Sequence, residues 1–195
     1  SLHDALPILD ELNSIYGVEL EYFGNSDIPF EITAGELSAE RESLVEAILV
    51  YLELTSEPQD QLIEDEAFNA LELNGLQSSD YVCAEKAISY NEVYLEGYIV
   101  SYDNGNTHRW SSVSECTAYE YFPEIGDDVT WFCVSSESWS YASAMQLVVW
   151  SGTGIIKHHL ANGEVVTVGS SFSQSTSFNA NDYSYNGTQS TDPTA

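Results

Sequence analysis

The chain has 195 residues, 43% of them hydrophobic, and is therefore long enough and apolar enough to form a folded core. Its 32 Asp and Glu residues against 4 Lys and Arg residues give a formal net charge of −28. That charge repels nucleic-acid phosphates and anionic lipids, and no apolar run approaches the ~18 residues of a membrane-spanning helix. Composition thus disfavours nucleic-acid binding and predicts no membrane span in these residues.

Three explanations of the acidity compete. The first is a solvated surface adapted to salty water, where counterions screen the repulsion between carboxylates. The second is a set of clustered oxygen ligands for Ca²⁺, and the third is mimicry of a polyanion that occupies a basic partner. Most of the acidic residues are spread through residues 1–86. This spread favours the salt-adapted surface over mimicry.

The first eight residues, Ser1 to Ile8, match one translated frame of a common sequencing adapter. We therefore expect residues 1–8 to be an artefact and leave them out of the fold prediction. On this interpretation the natural chain extends upstream of Leu9, and an export signal is expected to have been lost with that upstream part.

Residues 9–86 predict an acidic α+β region. The apolar spacing over Leu9–Tyr16 predicts a short helix, which Gly17 ends. The alternation of apolar and acidic residues over Val18–Phe23 predicts a half-buried strand. A second short strand is expected at Phe30–Thr33.

The strongest helix is predicted after Ser38, because serine favours the N-cap position. Its apolar side chains fall on one helical face: Leu44, Val45, Ile48, Leu49 and Leu52. Pro58 ends this helix. A weaker helical pattern follows over Leu62–Leu73.

Part of this region resembles two kinds of known module. The order Leu9-Asp10-Glu11-Leu12, Tyr16-Gly17-Val18-Glu19-Leu20, then Ile32 and the helix from Leu37 resembles short N-terminal modules of secretins and TonB-dependent receptors. It is also similar to the stretch that precedes the catalytic helix in some zinc metallopeptidases. The second resemblance implies an H-E-x-x-H motif further along, and the sequence contains none. No catalytic residue is therefore carried over.

Residues 87–169 predict an antiparallel, sandwich-like β region. An extended run over Val93–Tyr102 is followed by Asp103-Asn104-Gly105-Asn106, which is a strong hairpin signal. Thr107–Val113 is the expected return strand.

Further strands are expected along the same region: Val129–Val134, Ala144–Trp150, Ile155–Leu160 and Glu164–Val168. Asn162-Gly163 predicts a second hairpin between the last two, and Ser151 is interpreted as a turn residue. The Ser, Thr and Asn-rich residues 170–195 predict either a late strand followed by disorder or a flexible tail.

Two oxygen-rich segments make Ca²⁺ the metal that the sequence favours. Asp103 and Asn104 lie in the predicted hairpin turn, and Asp127 and Asp128 are adjacent after a glycine. Carboxylate and amide oxygens are the ligands that Ca²⁺ takes. Neither segment has the spacing of the 12-residue calcium loop.

No segment carries a recognisable catalytic motif. His158 and His159 are adjacent in a predicted strand and therefore point to opposite faces, which disfavours one zinc site. The nucleophile signature G-x-S-x-G is absent. A hydrolase is the alternative function, either a glycosidase that uses a pair of carboxylates or a metallopeptidase-like protein that lacks H-E-x-x-H.

Aromatic residues indicate a binding face. Tyr94, Tyr98 and Tyr102 share one face of the predicted strand by its two-residue period, and Trp110 on the next strand is grouped with them. The opposite face is apolar and is the expected core side: Val93, Leu95 and Ile99. Exposed rings of this kind stack on sugar or peptide surfaces. The alternative is that the rings fill a β core.

The chain has three cysteines and no C-x-x-C pair. In an exported protein, Cys116 and Cys133 would form a disulfide that stabilises the fold by roughly 3 kcal/mol through loop closure. Cys83 would then be free. The alternative is three buried thiols that act as small hydrophobic side chains.

The sequence therefore predicts an α+β fold, with a small helical and two-strand N-terminal part before a β-rich antiparallel part. The functional hypothesis is a non-catalytic binding or surface module that a salt-adapted microbe exports. Its expected location is extracellular, periplasmic or on the cell surface. Carbohydrate or a protein surface is the expected partner, and Ca²⁺ is the only cofactor considered.

Overall fold

The computed structural model describes residues 2–23, 40–56, 80–102 and 107–183. These ranges contain helices α1 (Leu2–Tyr16) and α2 (Arg41–Ser56) and a 3₁₀ turn at Ala180–Tyr183. They also contain seven strands: β1 (Leu20–Phe23), β2 (Asp80–Ile88), β3 (Asn91–Tyr102), β4 (Thr107–Ala118), β5 (Val129–Ala142), β6 (Leu147–His159) and β7 (Val165–Asn179). The predicted β-rich α+β class is confirmed.

Two antiparallel sheets contain all the described strands. The order is β2-β3-β4 in the three-stranded sheet and β1-β7-β6-β5 in the four-stranded sheet. Strand β1 pairs with β7, with Leu20 opposite Val168. Strand β3 is central in its sheet, and its register shifts twice against β4 through bulge-like irregularities.

The chain divides into two compact units. Unit 1 contains three segments: Ser1–Pro58, Glu120–Ser135 and Thr153–Phe172. Unit 2 contains the other three: Gln59–Tyr119, Ser136–Gly152 and Ser173–Ala195. The long strands β5, β6 and β7 thus each contribute residues to both units. The sequence-based boundaries at residues 86 and 169 fall inside β2 and β7.

In unit 1 the apolar face of α2 is buried, as its periodicity predicts, through Leu44 and Ile48. Leu49, which was assigned to the same face, is 52% exposed. Tyr51 anchors the helix on β7, where its ring lies against Gly169 and its hydroxyl oxygen accepts from Ser170 N at 3.2 Å. A side chain at Gly169 would clash with this ring, so the glycine is required for the packing.

In unit 2 the buried side of β3 forms one wall of a core that includes Trp110, Trp150 and Phe178. The indole Nε1 of Trp110 donates to the Phe178 carbonyl at 3.0 Å. Trp150 Nε1 donates to the Glu137 carboxylate at 2.7 Å. Both buried indoles thus have the partner that a buried N–H requires.

The structure corrects the predicted turn at Ser151. Residues Leu147–His159 form one continuous strand, β6, rather than two strands separated by a turn. The two glycines that follow Ser151 at short spacing serve close packing. Gly152 accommodates the ring of Trp150, and Gly154 passes directly against the carbonyl of Cys133.

The remaining strand predictions compare with the structure as follows. Strand β7 continues to Asn179, which confirms the late strand that was one of the two alternatives for the Ser-rich tail. Strand β2 was not predicted, although Val82 and Ala84 alternate with outward side chains. The Asn162-Gly163 hairpin is confirmed, with Gly163 at a φ of 95°. The predicted elements at Phe30–Thr33 and Leu62–Leu73 lie outside the described residues.

Candidate functional site

The predicted row of tyrosines lies on β3. Tyr94 and Tyr98 are on its outer face, and Tyr98 is 42% exposed. The other face is fully buried, as expected: Val93, Leu95 and Ile99. The side chain of Tyr102 lies outside the described residues.

Strand pairing places further tyrosines beside this row. Tyr81 on β2 is directly opposite Tyr98, with ring centroids 5.3 Å apart. Tyr119, just after β4, lies with its ring centroid 6.1 Å from that of Tyr94. We call Tyr81, Tyr94, Tyr98 and Tyr119 the tyrosine face. Sequence reasoning missed Tyr81 and Tyr119, although the alternation in β2 carried a signal for the first.

Carboxylates hold three of these rings in place. The hydroxyls of Tyr81 and Tyr94 both donate to Glu96, the latter at 3.2 Å. The Tyr119 hydroxyl donates to Glu85. These bonds fix ring orientation before any ligand arrives, which lowers the entropy that binding costs.

The same contacts keep the hydroxyls protonated. Hydrogen bonding with Cys83, and then with Glu96, raises the pKa of Tyr81. The bond to Glu85 is the main reason that the pKa of Tyr119 rises to about 12. A phenol that donates to a carboxylate loses its proton less readily, because ionisation would place two anions together. Tyr81 and Tyr119 therefore present neutral rings at physiological pH.

The structure corrects the placement of Trp110. This residue was grouped with the binding face, but its side chain is only 1% exposed and its ring packs 5.9 Å from that of Tyr183. The register shift between Tyr98 and Ile99 puts Trp110 opposite the buried Ile99. Trp110 is therefore part of the core and is inaccessible to a surface ligand.

The residues predicted to bind Ca²⁺ do not converge in the described part of the chain. Asp103 and Asn104 lie outside it. Asp127 closes a local turn, where its Oδ2 accepts from Glu124 N at 2.9 Å. Asp128 takes part in a different cluster around His158.

This second cluster lies within unit 1 and joins the start of α2 to β5 and β6. We call it the His158 cluster: Glu40, Ser43, Asp128, Thr130 and His158. The His158 side chain is 1% exposed, and its Nε2 lies 3.3 Å from Asp128 Oδ1. Ser43 Oγ donates to the same carboxylate oxygen at 2.5 Å and lies 3.1 Å from Nε2. Thr130 Oγ1 lies 3.0 Å from Nδ1, on the other side of the ring.

Burial lowers the pKa of His158, since the charged ring loses solvation, and this effect outweighs the attraction of Asp128. His159 also lowers it, and Glu46 opposes the shift. The imidazole is therefore neutral at pH 7.

The His158 cluster contains serine, histidine and aspartate, but not in the arrangement of a nucleophilic triad. In a triad, the acid holds one ring nitrogen and the serine hydroxyl donates to the other. Here Asp128 and Ser43 lie at the same nitrogen, and the Ser43 proton goes to the carboxylate. The geometry does not activate Ser43 as a nucleophile.

A different property of the cluster is its set of metal-ligating atoms. One atom each from Glu40, Asp128 and His158 lie within 4.8 Å of one another. Sequence reasoning proposed Asp128 as a calcium ligand and disfavoured His158 as a zinc ligand. It did not group these two residues with Glu40, because all three are far apart in the chain.

The three cysteines are free thiols in the structure: Cys83 is exposed, Cys116 is buried and Cys133 is partly buried. The predicted bond between Cys116 and Cys133 is not formed here. The disulfide stays a prediction for the case that the protein is exported.

Within the part of the chain that the structure describes, no helix has both the length and the apolarity to cross a membrane.

Comparison with known proteins adds no functional argument. No known protein family matches the chain, and neither does any curated protein. A solved structure of a hypothetical protein from Listeria monocytogenes EGD-e is similar over 83% of this chain and 98% of its own. The two are 11% identical with a TM-score of 0.29, a level that carries no argument about fold or function.

Proposed function

We propose that this chain is a non-catalytic binding module that holds a carbohydrate on its tyrosine face. The observation that supports the proposal is the grouping of exposed tyrosine rings on the outer side of β2 and β3. The opposite side of β3 already supplies the core. The outer rings are therefore not needed to fill it.

The chemistry of the face suits a sugar. The C–H side of a sugar ring packs on the electron-rich face of an aromatic ring, and tyrosine loses little conformational entropy when it does so. The carboxylates of Glu85 and Glu96 lie among the rings and accept hydrogen bonds from hydroxyl groups. A ligand would thus find apolar and polar contacts side by side.

The spacing of the rings favours an oligosaccharide over a single sugar. Tyr94 and Tyr98 are four residues apart on β3, which corresponds to roughly 13 Å along an extended strand. Each lies beside another ring, Tyr119 and Tyr81 respectively. Two separate ring pairs can therefore contact different sugar units of one chain.

Net charge argues against a polyanionic ligand. At −28 the chain repels nucleic acids and acidic polysaccharides. A neutral oligosaccharide carries no such penalty and would bind with little dependence on salt. A cationic protein segment would also be attracted, but its affinity would fall steeply as salt screens the charges.

The test is a glycan array followed by calorimetric titration of the best neutral oligosaccharide in low and high NaCl. Tyr98→Ala removes one exposed ring and leaves in place the hydroxyl groups of Tyr81 and Tyr94, which donate to Glu96. We expect this substitution to weaken binding about two- to twelvefold, since one aromatic contact contributes about 0.5–1.5 kcal/mol. The change with salt should be small.

Tyr121→Ala is the matched control, because Tyr121 is exposed to the same 42% but lies in unit 1. Its affinity should equal that of the wild type. Equal losses in both variants, or no bound glycan on the array, would contradict the proposal. Salt-sensitive binding to a lysine-rich peptide through Tyr98 would identify a protein partner instead.

We further propose that the module is exported by a salt-adapted microbe and acts outside the cell or at its surface. The excess of carboxylates over cations supports this, since such a surface is soluble where salt screens its self-repulsion. Measured export of the full-length protein from its host would test it.

A further inference from the structure

We propose that Glu40, Asp128 and His158 form a binding site for a transition-metal ion, with Zn²⁺ as the best fit. This site belongs to unit 1 and is independent of the tyrosine face. It would join the start of α2 to β6 and to the segment before β5.

The distances fit a small tetrahedral ion. Zinc bonds nitrogen and oxygen at about 2.0–2.2 Å, which places neighbouring ligand atoms of a tetrahedron roughly 3.3–3.6 Å apart. Asp128 Oδ1 and His158 Nε2 are 3.3 Å apart. Glu40 completes the group within 4.8 Å, and its side chain is only partly buried, so a rotamer change can close the remaining gap.

Hydrogen bonds from neighbouring side chains orient two of the proposed ligands, His158 and Asp128. When Nδ1–H of His158 donates to Thr130 Oγ1, the Nε2 lone pair faces Asp128. The Ser43 hydroxyl donates to Asp128 and holds that carboxylate toward the ring. Ligating histidines usually have such a partner on their other nitrogen. In this tautomer a cation between the two acceptors relieves their repulsion.

The donor set selects the kind of ion. One imidazole nitrogen with two carboxylates suits Zn²⁺, whereas Ca²⁺ takes oxygen ligands in larger number. The strongly negative chain also raises the local concentration of cations.

The test is calorimetric titration of untagged, full-length protein with ZnCl₂, together with thermal unfolding in Zn²⁺ and in EDTA. We expect one zinc ion per chain and a higher melting temperature with zinc. Asp128→Asn and Glu40→Gln should each lower the affinity at least tenfold. Substitution of the buried His158 could prevent folding. Glu40→Gln is therefore the preferred variant for testing the site.

Glu42→Gln is the matched control, since Glu42 is an exposed residue of α2 and loses the same charge. It should bind zinc like the wild type. Thr130→Val should weaken zinc binding about tenfold, because loss of a hydrogen-bond partner of a metal ligand typically lowers the affinity by that factor. This loss would distinguish an ordered site from general attraction to carboxylates.

Two outcomes would overturn the inference. If Asp128→Asn, Glu40→Gln and Glu42→Gln bind zinc as the wild type does, the ion binds elsewhere among the acids. If Ca²⁺ raises the melting temperature at matched ionic strength through Asp128 and Zn²⁺ does not, the site takes oxygen ligands only. Failure of glycan binding would leave the zinc result unaffected, because the two sites share no residue.

Discussion

Cys83 and Cys116 are on neighbouring parts of one sheet, yet their surroundings give them different chemistry. Cys83 is exposed on the outer face of β2, within 3.2 Å of the Tyr81 hydroxyl. Cys116 is buried on β4, and burial raises the pKa of its thiol to about 12, with a smaller contribution from Glu137. A thiol in such an environment stays protonated and unreactive.

This pKa predicts a decline of stability in alkali. The folded chain holds the Cys116 proton more tightly than the unfolded chain, whose thiol ionises near its ordinary pKa of about 9. The free energy of unfolding should therefore fall as pH rises from about 9 toward 12. Between pH ~9 and ~10.5 the free energy of unfolding should fall by about 1.5 kcal/mol through Cys116.

Urea unfolding of the wild type and Cys116→Ala at several pH values measures that contribution as a difference. The alkaline decline should be smaller in Cys116→Ala, whereas the control Ser151→Ala, which removes no titratable group from the exposed surface, should keep the wild-type slope. Identical slopes in all three proteins would contradict the buried thiol. They are also what a Cys116–Cys133 disulfide would produce, and reduction before the experiment separates the two cases.

At the scale of the element, strand β6 continues through Ser151, where a turn was predicted. Gly152 and Gly154 both lie in β6, and both are in close contact with neighbouring atoms. Their role is steric, because any side chain there would overlap the Trp150 ring or the Cys133 carbonyl. Neither has the positive φ of a turn glycine.

Gly154→Ala should therefore destabilise the protein. Its Cβ would overlap the backbone of β5, which cannot move aside as a flexible side chain can. Overpacking of this kind costs about 1–3 kcal/mol and sometimes more. Ser151→Ala is the control, since Ser151 is an exposed residue of the same strand. Equal urea midpoints for the two variants would show that β5 and β6 do not approach closely at this position.

At the scale of the whole molecule, charge is the dominant property. A formal charge of −28 in 195 residues destabilises the compact state through self-repulsion, and salt reduces this repulsion. Among the described residues, Arg41 forms an ion pair with Glu11 at 3.0 Å on the exposed surface. An exposed pair of this kind contributes little stability.

The melting temperature should rise steadily with NaCl and approach a plateau near ~1 M, where the Debye length is about 3 Å. CaCl₂ at matched ionic strength should give nearly the same curve, because the described acids that the sequence suggested for calcium do not converge. Differential scanning calorimetry provides the comparison. A melting temperature that is independent of salt would show that the carboxylates do not repel one another appreciably.

Much of the local structure was predictable from the sequence, because it depends on neighbouring residues. Helix α2 and strand β3 follow from apolar periodicity, and Gly163 marks its hairpin by turn chemistry. The inward face of β3 was also predictable. These features depend on side-chain polarity and on backbone preferences of neighbouring residues. Both can be read from a short stretch of sequence.

The tertiary structure alone decided which distant residues meet. Tyr81 and Tyr119 join Tyr94 and Tyr98 only through strand pairing, and a register shift places Trp110 in the core instead. Glu40, Asp128 and His158 come together from the turn before α2, the segment before β5 and strand β6. The sequence determined the charge, the fold class and the tyrosine row. Long-range pairing decided the sites, because local pattern carries no information on register between distant segments.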